Sequence, residues 1–129
     1  MTSATNRRCP DETRPAHDLY GRWLLELWRG DQSDIDELVS EDFVGHWPDG
    51  DIHGRDGLRA VIDQTRAIVR DLRFELVVEP FAERDLVAAR WTGYGESDEG
   101  PVSFTGNDIL RIRAGKVVEY WVATTSGAG

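Results

Sequence analysis

An aspartate lies among apolar side chains near the C-terminal end of the chain. Residues 104–113 and 116–121 alternate between apolar and polar types on either side of a short glycine-containing turn, which is typical of a β-hairpin. The alternation places Asp108 on the same strand face as Phe104 and Leu110. Because burying a lone charge is costly, this carboxylate must either be compensated by a partner or have a function.

Two further polar residues could take part in chemistry beside such a carboxylate. Arg90 is the one cation in the strand-like segment 86–94, where it could bind a carbonyl or enolate oxygen or neutralise a carboxylate. The neutral imidazole of His46 could donate to a carbonyl or relay a proton. Structural alternatives stay open for both, since Asp108 could pair with Arg90 or Arg111 and His46 could be satisfied by the adjacent turn.

Strand alternation also predicts which neighbours face the same way as Asp108. On the preceding long strand the predicted inward set is Ala88, Arg90, Thr92 and Tyr94, with Trp91 facing away. On the final strand the predicted inward set is Val117, Glu119, Trp121 and Ala123.

Aromatic residues are numerous, with five tryptophans in 129 residues. Aromatic walls suit a flat ligand with several rings, although core packing is the alternative for Trp23, Trp28 and Trp91. The predicted ligand-binding side chains are Tyr20, Trp23, Trp47, Thr92, Tyr94, Phe104, Leu110 and Trp121. No His and Cys spacing fits zinc, and the acidic pair around Gly50 is too short for a calcium loop, so we expect no metal.

The hydrophobic periodicity changes along the chain and predicts an α+β fold. A period of three to four residues predicts helices over residues 16–29, from Ser33, and over residues 58–69. Residues 43–47 are predicted to form a short strand, and after Asp71 a period of two predicts four more strands. Helices followed by an antiparallel run are typical of a layered α+β domain.

Length and composition predict one domain with a single core. Residues 1–15 lack apolar periodicity and are predicted to form a flexible tail, leaving residues 16–125 as the domain. The net charge of −9 and the pI near 4.7 argue against nucleic acid or an anionic membrane as a partner. Neither a membrane-spanning run nor a signal peptide is evident, and the lone Cys9 permits no internal disulfide, so we expect a cytoplasmic protein.

Several segments together resemble the SnoaL-like polyketide cyclases, a branch of the NTF2-like superfamily. They are residues 41–48, residues 54–59 opening a helix, residues 85–93 and residues 106–121, and the likeness spans residues 19–121. The resemblance implies an NTF2-like cone, in which a curved, mostly antiparallel sheet and three helices enclose a pocket. It also implies a homodimer that binds a hydrophobic small molecule.

In that family the position of Asp108 carries the catalytic acid/base carboxylate. The resemblance therefore implies a cofactor-free ring closure of the intramolecular aldol type on a keto-rich molecule, with Asp108 as base. His46 and Arg90 would polarise carbonyl groups. A dry pocket makes a carboxylate more basic, which suits a general base.

Three functions other than ring closure are possible on this scaffold. Epoxide hydrolases of the fold hold an arginine between two catalytic aspartates, but Thr92 and Ala123 occupy those two places here, which argues against epoxide hydrolysis. Another hydrolase or lyase, or a non-catalytic small-molecule-binding protein, remains an alternative because one fold hosts many functions.

Overall fold

The computed structural model describes residues 17–126, so the tail predicted over residues 1–15 lies outside the described residues. Helix α1 covers residues 17–27, of which Arg22–Leu27 form a π-helical turn, followed by α2 (Ile35–Leu38) and α3 (Gly54–Ile68). The strands are β1 (Val39–Trp47), β2 (Gly50–His53), β3 (Arg70–Glu83), β4 (Leu86–Ser97), β5 (Gly100–Arg113) and β6 (Lys116–Ser126). None of these helices is both long enough and apolar enough to cross a membrane.

The six strands form one curved, open, mixed sheet in the order β2-β1-β6-β5-β4-β3. All neighbouring strands are antiparallel except β1 and β6, which run parallel. This sheet with three helices confirms the predicted α+β class. Strand β2 was not predicted, because the turn-forming residues 48–51 concealed that the chain folds back and pairs with β1.

The helices bury their apolar faces against the concave side of the sheet. In α1, Tyr20, Trp23 and Leu27 are fully or almost fully buried. Their spacing of three and four residues gives one continuous apolar face, as the sequence predicts. The shared core joins Leu58 and Ile62 of α3 to sheet residues that include Leu110 of β5. Burial of this apolar surface fixes the helices over the central strands.

A bulge in β6 changes which of its side chains face the helices. Val118 has no partner on β5, so the alternation restarts after it. Val117 and Tyr120 are therefore both buried, although they are three residues apart. The inward positions predicted for Glu119, Trp121 and Ala123 are wrong, because the bulge turns these side chains to the outer face of the sheet.

The inward set predicted for β4 is also wrong. Its buried positions are Val87, Ala89, Trp91, Gly93 and Gly95, whereas Ala88, Arg90, Thr92 and Tyr94 occupy the other face. Asp108 lies opposite Ala89 in the antiparallel β4–β5 pair, and opposite residues share a sheet face. The alternation in β4 does indicate the buried face, since Val87, Ala89 and Trp91 are apolar whereas Arg90, Thr92 and Tyr94 are polar. The prediction was wrong because it placed Arg90 on the same face as Asp108.

Because Gly106 has no side chain, the Trp91 ring can pack directly over it on the inner face of the sheet. A methyl group at this position would overlap the Trp91 ring. The ring cannot move away freely, because Phe74 and Phe104 both contact it in perpendicular packing. We expect Gly106→Ala to lower the free energy of unfolding by about 1–3 kcal/mol, measured by urea denaturation.

Gly21→Ala is the matched control, because a methyl group there meets no atom within 4 Å and the residue has helical backbone angles. We expect it to leave the stability unchanged or to raise it slightly. Equal losses of stability in the two variants would show that the Trp91 site has no special packing constraint.

Candidate active site

Asp108 is the one charged side chain that is buried in the described part of the chain, with 1% of its surface exposed. Two tyrosine hydroxyls donate hydrogen bonds to its carboxylate. Tyr20 of α1 reaches Oδ2 at 2.6 Å, and Tyr120 of β6 reaches Oδ1 at 2.8 Å. Each oxygen thus has one strong donor and keeps further capacity to accept, since a carboxylate oxygen has two lone pairs.

The buried carboxylate is compensated by hydroxyl groups rather than by a cation. The alternative that paired Asp108 with Arg90 or Arg111 is wrong, because these side chains bond elsewhere. Arg90 donates to Asn107 at 3.2 Å among exposed groups. Arg111 instead pairs with acidic side chains of the outer face, Asp85 and Glu119, at 3.1 and 3.4 Å. No basic side chain between residues 17 and 126 forms an ion pair with Asp108.

Burial raises the pKa of Asp108 from 3.8 to about 6, although the hydroxyls of Tyr20 and Tyr120 oppose the rise. The indole N–H of Trp91 also lowers this pKa. Desolvation is therefore the larger effect. Burial and the charge of Asp108 raise the pKa of both tyrosines, so their hydroxyls stay neutral donors.

Asp108 forms part of the wall of a cavity of about 450 Å³ between the sheet and the helices. This volume is within the ~300–1,000 Å³ range of small-molecule sites. The cavity is lined mainly by aromatic and aliphatic side chains, with hydroxyl groups from a few serines and threonines. The lining comprises Trp23, Leu24, Trp28, Trp47, Thr65, Ile68, Val69, Phe74, Trp91, Ser97, Val102, Ser103, Phe104, Asp108, Tyr120, Val122, Thr124 and Thr125.

The cavity has a solvent-exposed end and a buried end. Ile68 is 60% exposed, and Thr124 and Thr125 are also exposed, so these residues mark the entrance. Asp108 and Tyr120 lie at the buried end. A ligand that reaches the carboxylate is therefore surrounded by protein rather than by water.

The predicted ligand-binding residues separate into three groups, which line the cavity, pack in the core beside it, or lie on the outer face of the sheet. Trp23, Trp47 and Phe104 line the cavity, and Tyr20 contacts Asp108 from the core side. Leu110 is fully buried in the core beside the cavity rather than in its lining. Thr92, Tyr94 and Trp121 lie on the outer face of the sheet, where Tyr94 donates to Glu75 at 3.2 Å.

His46 also lies on the outer face and is not brought together with Asp108. Its Nε2 is 2.8 Å from Glu119 and its Nδ1 is 2.9 Å from Asp51, while its ring stacks on Trp121. The Glu119 and Asp51 carboxylates raise the pKa of His46. The imidazole is thus held by its surroundings, and neither His46 nor Arg90 lines the cavity.

Tyr120, Trp28 and Trp91 line the cavity but were not predicted to bind a ligand. Tyr120 follows the β6 bulge, which the sequence alone does not reveal. Trp91 was assigned to the wrong face of β4. Among residues 17–126, no cluster of three or more His, Cys, Asp or Glu side chains is arranged to hold a metal ion.

The raised pKa of Asp108 predicts a pH-dependent loss of stability. Between pH 3.8 and about 6 the folded protein binds more protons at this site than the unfolded chain, so the contribution of Asp108 to stability falls as the pH rises. Asp108→Asn cannot titrate. We expect the unfolding free energy of the wild type, minus that of the variant, to fall by about 2 kcal/mol from pH 4 to pH 7.

Urea denaturation of both proteins between pH 4 and pH 7 measures this difference in unfolding free energy. The contributions of titratable groups that both proteins share cancel in the difference. Parallel stability curves would contradict a raised pKa.

The comparisons with known proteins agree with this architecture. The SnoaL-like domain family matches residues 20–120. No protein of curated function matches the sequence. Wild-type IdmH of Streptomyces antibioticus, a proposed polyketide cyclase, has a TM-score of 0.71 at 26% identity, over 85% of this chain and 91% of that protein.

Two further solved structures have the same fold. A proposed polyketide cyclase of Bacillus cereus has a TM-score of 0.68 at 29% identity, over 76% of this chain and 66% of that protein. A SnoaL-like proposed cyclase of Jannaschia has a TM-score of 0.78 at 15% identity, over 87% of this chain and 86% of that protein, which supports the fold alone. Because the family match spans most of the described residues, the chain belongs to the SnoaL-like family of the NTF2-like fold.

Proposed function

We propose that this protein is a cyclase or related isomerase that closes a ring in a hydrophobic, keto-rich small molecule. The observation that carries this proposal is the buried Asp108 carboxylate, which has no cationic partner in the described part of the chain and lies in the wall of a mostly apolar cavity. Asp108 is the catalytic base in this proposal, and the chemistry needs no cofactor.

Asp108 removes a proton from a substrate carbon that lies between two carbonyl groups. Such a proton is already acidic, so a single carboxylate suffices to remove it. With a pKa of about 6, Asp108 is mostly ionised at pH 7 and is more basic than an ordinary aspartate. The neutral hydroxyls of Tyr20 and Tyr120 hold the carboxylate in position during this step.

The resulting enolate carbon attacks a second carbonyl carbon of the same molecule. A carbon–carbon bond forms, and the electron pair of the carbonyl π-bond moves to oxygen as an alkoxide. The protonated Asp108 returns its proton to that alkoxide, which regenerates the carboxylate. No atom is gained or lost, so the first product is an isomer of the substrate.

The shape and lining of the cavity support a substrate with several fused or linked rings. Trp23, Trp47 and Phe104 contribute aromatic rings to the wall of the cavity. The names of the IdmH and Bacillus proteins point to polyketides as the substrate class of those relatives. We extend that class to this chain as part of the proposal.

Pairing of two copies remains a prediction that one surface feature supports. Phe81 and Ile109 both lie beside Ala88 across three adjacent strands of the outer face, and they are 57% and 42% exposed. An apolar row of this kind suits an interface between subunits. A cytoplasmic location likewise remains a prediction.

Asp108→Asn tests the proposed base. We expect it to lower the rate of ring closure by ~10²–10⁴-fold, because the amide cannot accept the substrate proton. Wild type and variant are incubated with synthetic aromatic β-keto esters that carry a further ketone within reach of ring closure. Liquid chromatography separates the isomeric product from the substrate, and mass spectrometry detects the loss of one water. Asp63→Asn, an exposed aspartate of α3, is the matched control and should keep full activity.

The same assay separates the alternatives. Undiminished conversion by Asp108→Asn would exclude Asp108 as the base. Products that gain one water, with oxygen from isotopically labelled solvent, would indicate a hydrolase. Binding of the esters without any conversion by the wild type would indicate a carrier.

A further inference from the structure

His46 lies between two carboxylates on the outer face of the sheet. Its Nδ1 is 2.9 Å from Asp51 of β2, and its Nε2 is 2.8 Å from Glu119 of β6. A neutral imidazole has a single N–H group, whereas an ionised carboxylate can only accept hydrogen bonds. Both contacts can therefore be hydrogen bonds only when each ring nitrogen carries a proton. This arrangement is the one expected of an imidazolium.

The charged groups around the ring come from β2, β5, β6 and the turn before β4. The hydrogen bonds to Glu119 and Asp51 raise the pKa of His46 above its ordinary 6.5, and partial burial opposes the rise. Arg111 of β5 also bonds to Glu119, but through Oε1 at 3.4 Å, which leaves Oε2 to His46. Asp85 lies 3.1 Å from Arg111 on its other side. Arg111 thus contacts two carboxylates, as His46 does.

The three strands that His46 joins meet where β1 ends. His46 is paired with Asp51 in the antiparallel β1–β2 ladder and with Trp121 in the parallel β1–β6 ladder. Strand β2 has four residues and lies at the edge of the sheet, so few backbone hydrogen bonds hold it. The side-chain bonds of His46 to Asp51 and Glu119 add to these backbone bonds.

Trp47 follows His46 as the last residue of β1, and its side chain lies on the opposite face, where it lines the cavity. A methyl group on Gly45 would overlap the Trp47 ring, which therefore lies directly over that residue. The ring also packs edge-on against Tyr120, with ring centres 5.2 Å apart. Because the side chain is only half-buried, its position depends on these contacts and on the backbone at the end of β1.

We propose that the imidazolium of His46 positions Trp47 in the cavity wall by bonding the end of β1 to β2 and β6. His46 is thus a positioning residue that acts through Trp47 and touches no ligand. The inference concerns the same cavity as the proposed function but depends on no catalytic step.

Loss of the His46 proton removes one of the two bonds. One ring nitrogen then becomes an acceptor that faces a carboxylate oxygen, so repulsion replaces attraction at that contact. Because the folded-state pKa lies above the unfolded value of 6.5, the contribution of His46 is complete below pH 6.5. It is lost as the pH rises through the folded-state pKa. The affinity of the cavity for a ligand falls over the same range.

The test follows His46 and ligand binding in the wild type from pH 7 to pH 9. Long-range ¹H–¹⁵N spectra of the imidazole report whether each ring nitrogen is protonated and give the midpoint of its titration. Calorimetry measures the affinity for tetralin, an uncharged apolar probe. Asp108, with a pKa of about 6, stays mostly ionised throughout this range.

We expect both nitrogens of His46 to carry a proton at pH 7. The affinity for tetralin should fall about three-fold as this proton is lost, because the side chains of His46 and Glu119 are each 31% exposed and such bonds are modest. The midpoints of the two wild-type curves should coincide.

His46→Gln cannot titrate, so its affinity for tetralin should stay constant between pH 7 and pH 9. The matched control is His53→Gln, which replaces an exposed histidine on the outer face of β2, opposite Val44, and should keep the wild-type pH dependence. Trp47→Leu removes the ring that His46 positions. Its affinity should be lower than that of the wild type and independent of pH.

An unprotonated ring nitrogen of His46 at pH 7 would overturn the inference. A constant wild-type affinity, no binding of tetralin, or an equal fall in His46→Gln would overturn it too, and full pH dependence in Trp47→Leu would exclude the link to Trp47. The wild-type curves decide the question even if a variant fails to fold. Because only binding is measured, the result is independent of catalysis by Asp108.

Discussion

Burying the Asp108 carboxylate costs free energy, and hydrogen bonds from two tyrosine hydroxyls offset only part of that cost. The properties of the site depend on the part that is not offset. With an arginine as its partner, the carboxylate would keep a low pKa and would be a weak base. With no donor at all, it would be protonated at neutral pH and could not accept a proton. Tyr20 and Tyr120 hold it between these limits, ionised near pH 7 but more basic than an exposed aspartate.

The fold has to bring three distant parts of the chain together to build this arrangement. Tyr20 comes from the first helix, Asp108 from β5 and Tyr120 from β6 beyond the bulge. If Val118 were paired like an ordinary strand residue, strict alternation from Val117 would turn Tyr120 to the outer face. The local irregularity in β6 therefore has a direct consequence for the chemistry of the site.

The inner and outer faces of the sheet have different kinds of polar interaction. The inner face carries Asp108 with neutral donors only, beside an apolar cavity. The outer face carries ion pairs, among them Arg111 with Asp85 and His46 with Glu119. Keeping the cations on the outer face leaves the cavity free of a partner that would neutralise the carboxylate.

Sequence patterns predicted the order of the elements apart from β2, and they predicted the burial of Asp108, because both follow from periodicity along single segments. Three of the predicted ligand-binding residues, Trp23, Trp47 and Phe104, do line the cavity. The predicted facing of side chains was wrong where it depended on how neighbouring strands pair. The inner face of β4 was predicted wrongly because Arg90 was placed beside Asp108, although the apolar residues of the strand lie on the opposite face. The β6 bulge has no local signature in the sequence. His46 was expected at the site because of the family resemblance, and Arg90 because of the face chosen for β4. Both lie on the outer face, as do Thr92, Tyr94 and Trp121.

The most direct test of the central claim is the titration of the Asp108 carboxyl carbon, followed by ¹³C NMR in the wild-type protein. We expect its chemical shift to titrate with a pKa of about 6, and the signal to be absent from the spectrum of Asp108→Asn. Titration near 3.8, the value of an ordinary aspartate, would contradict a desolvated carboxylate that acts as a base near neutral pH.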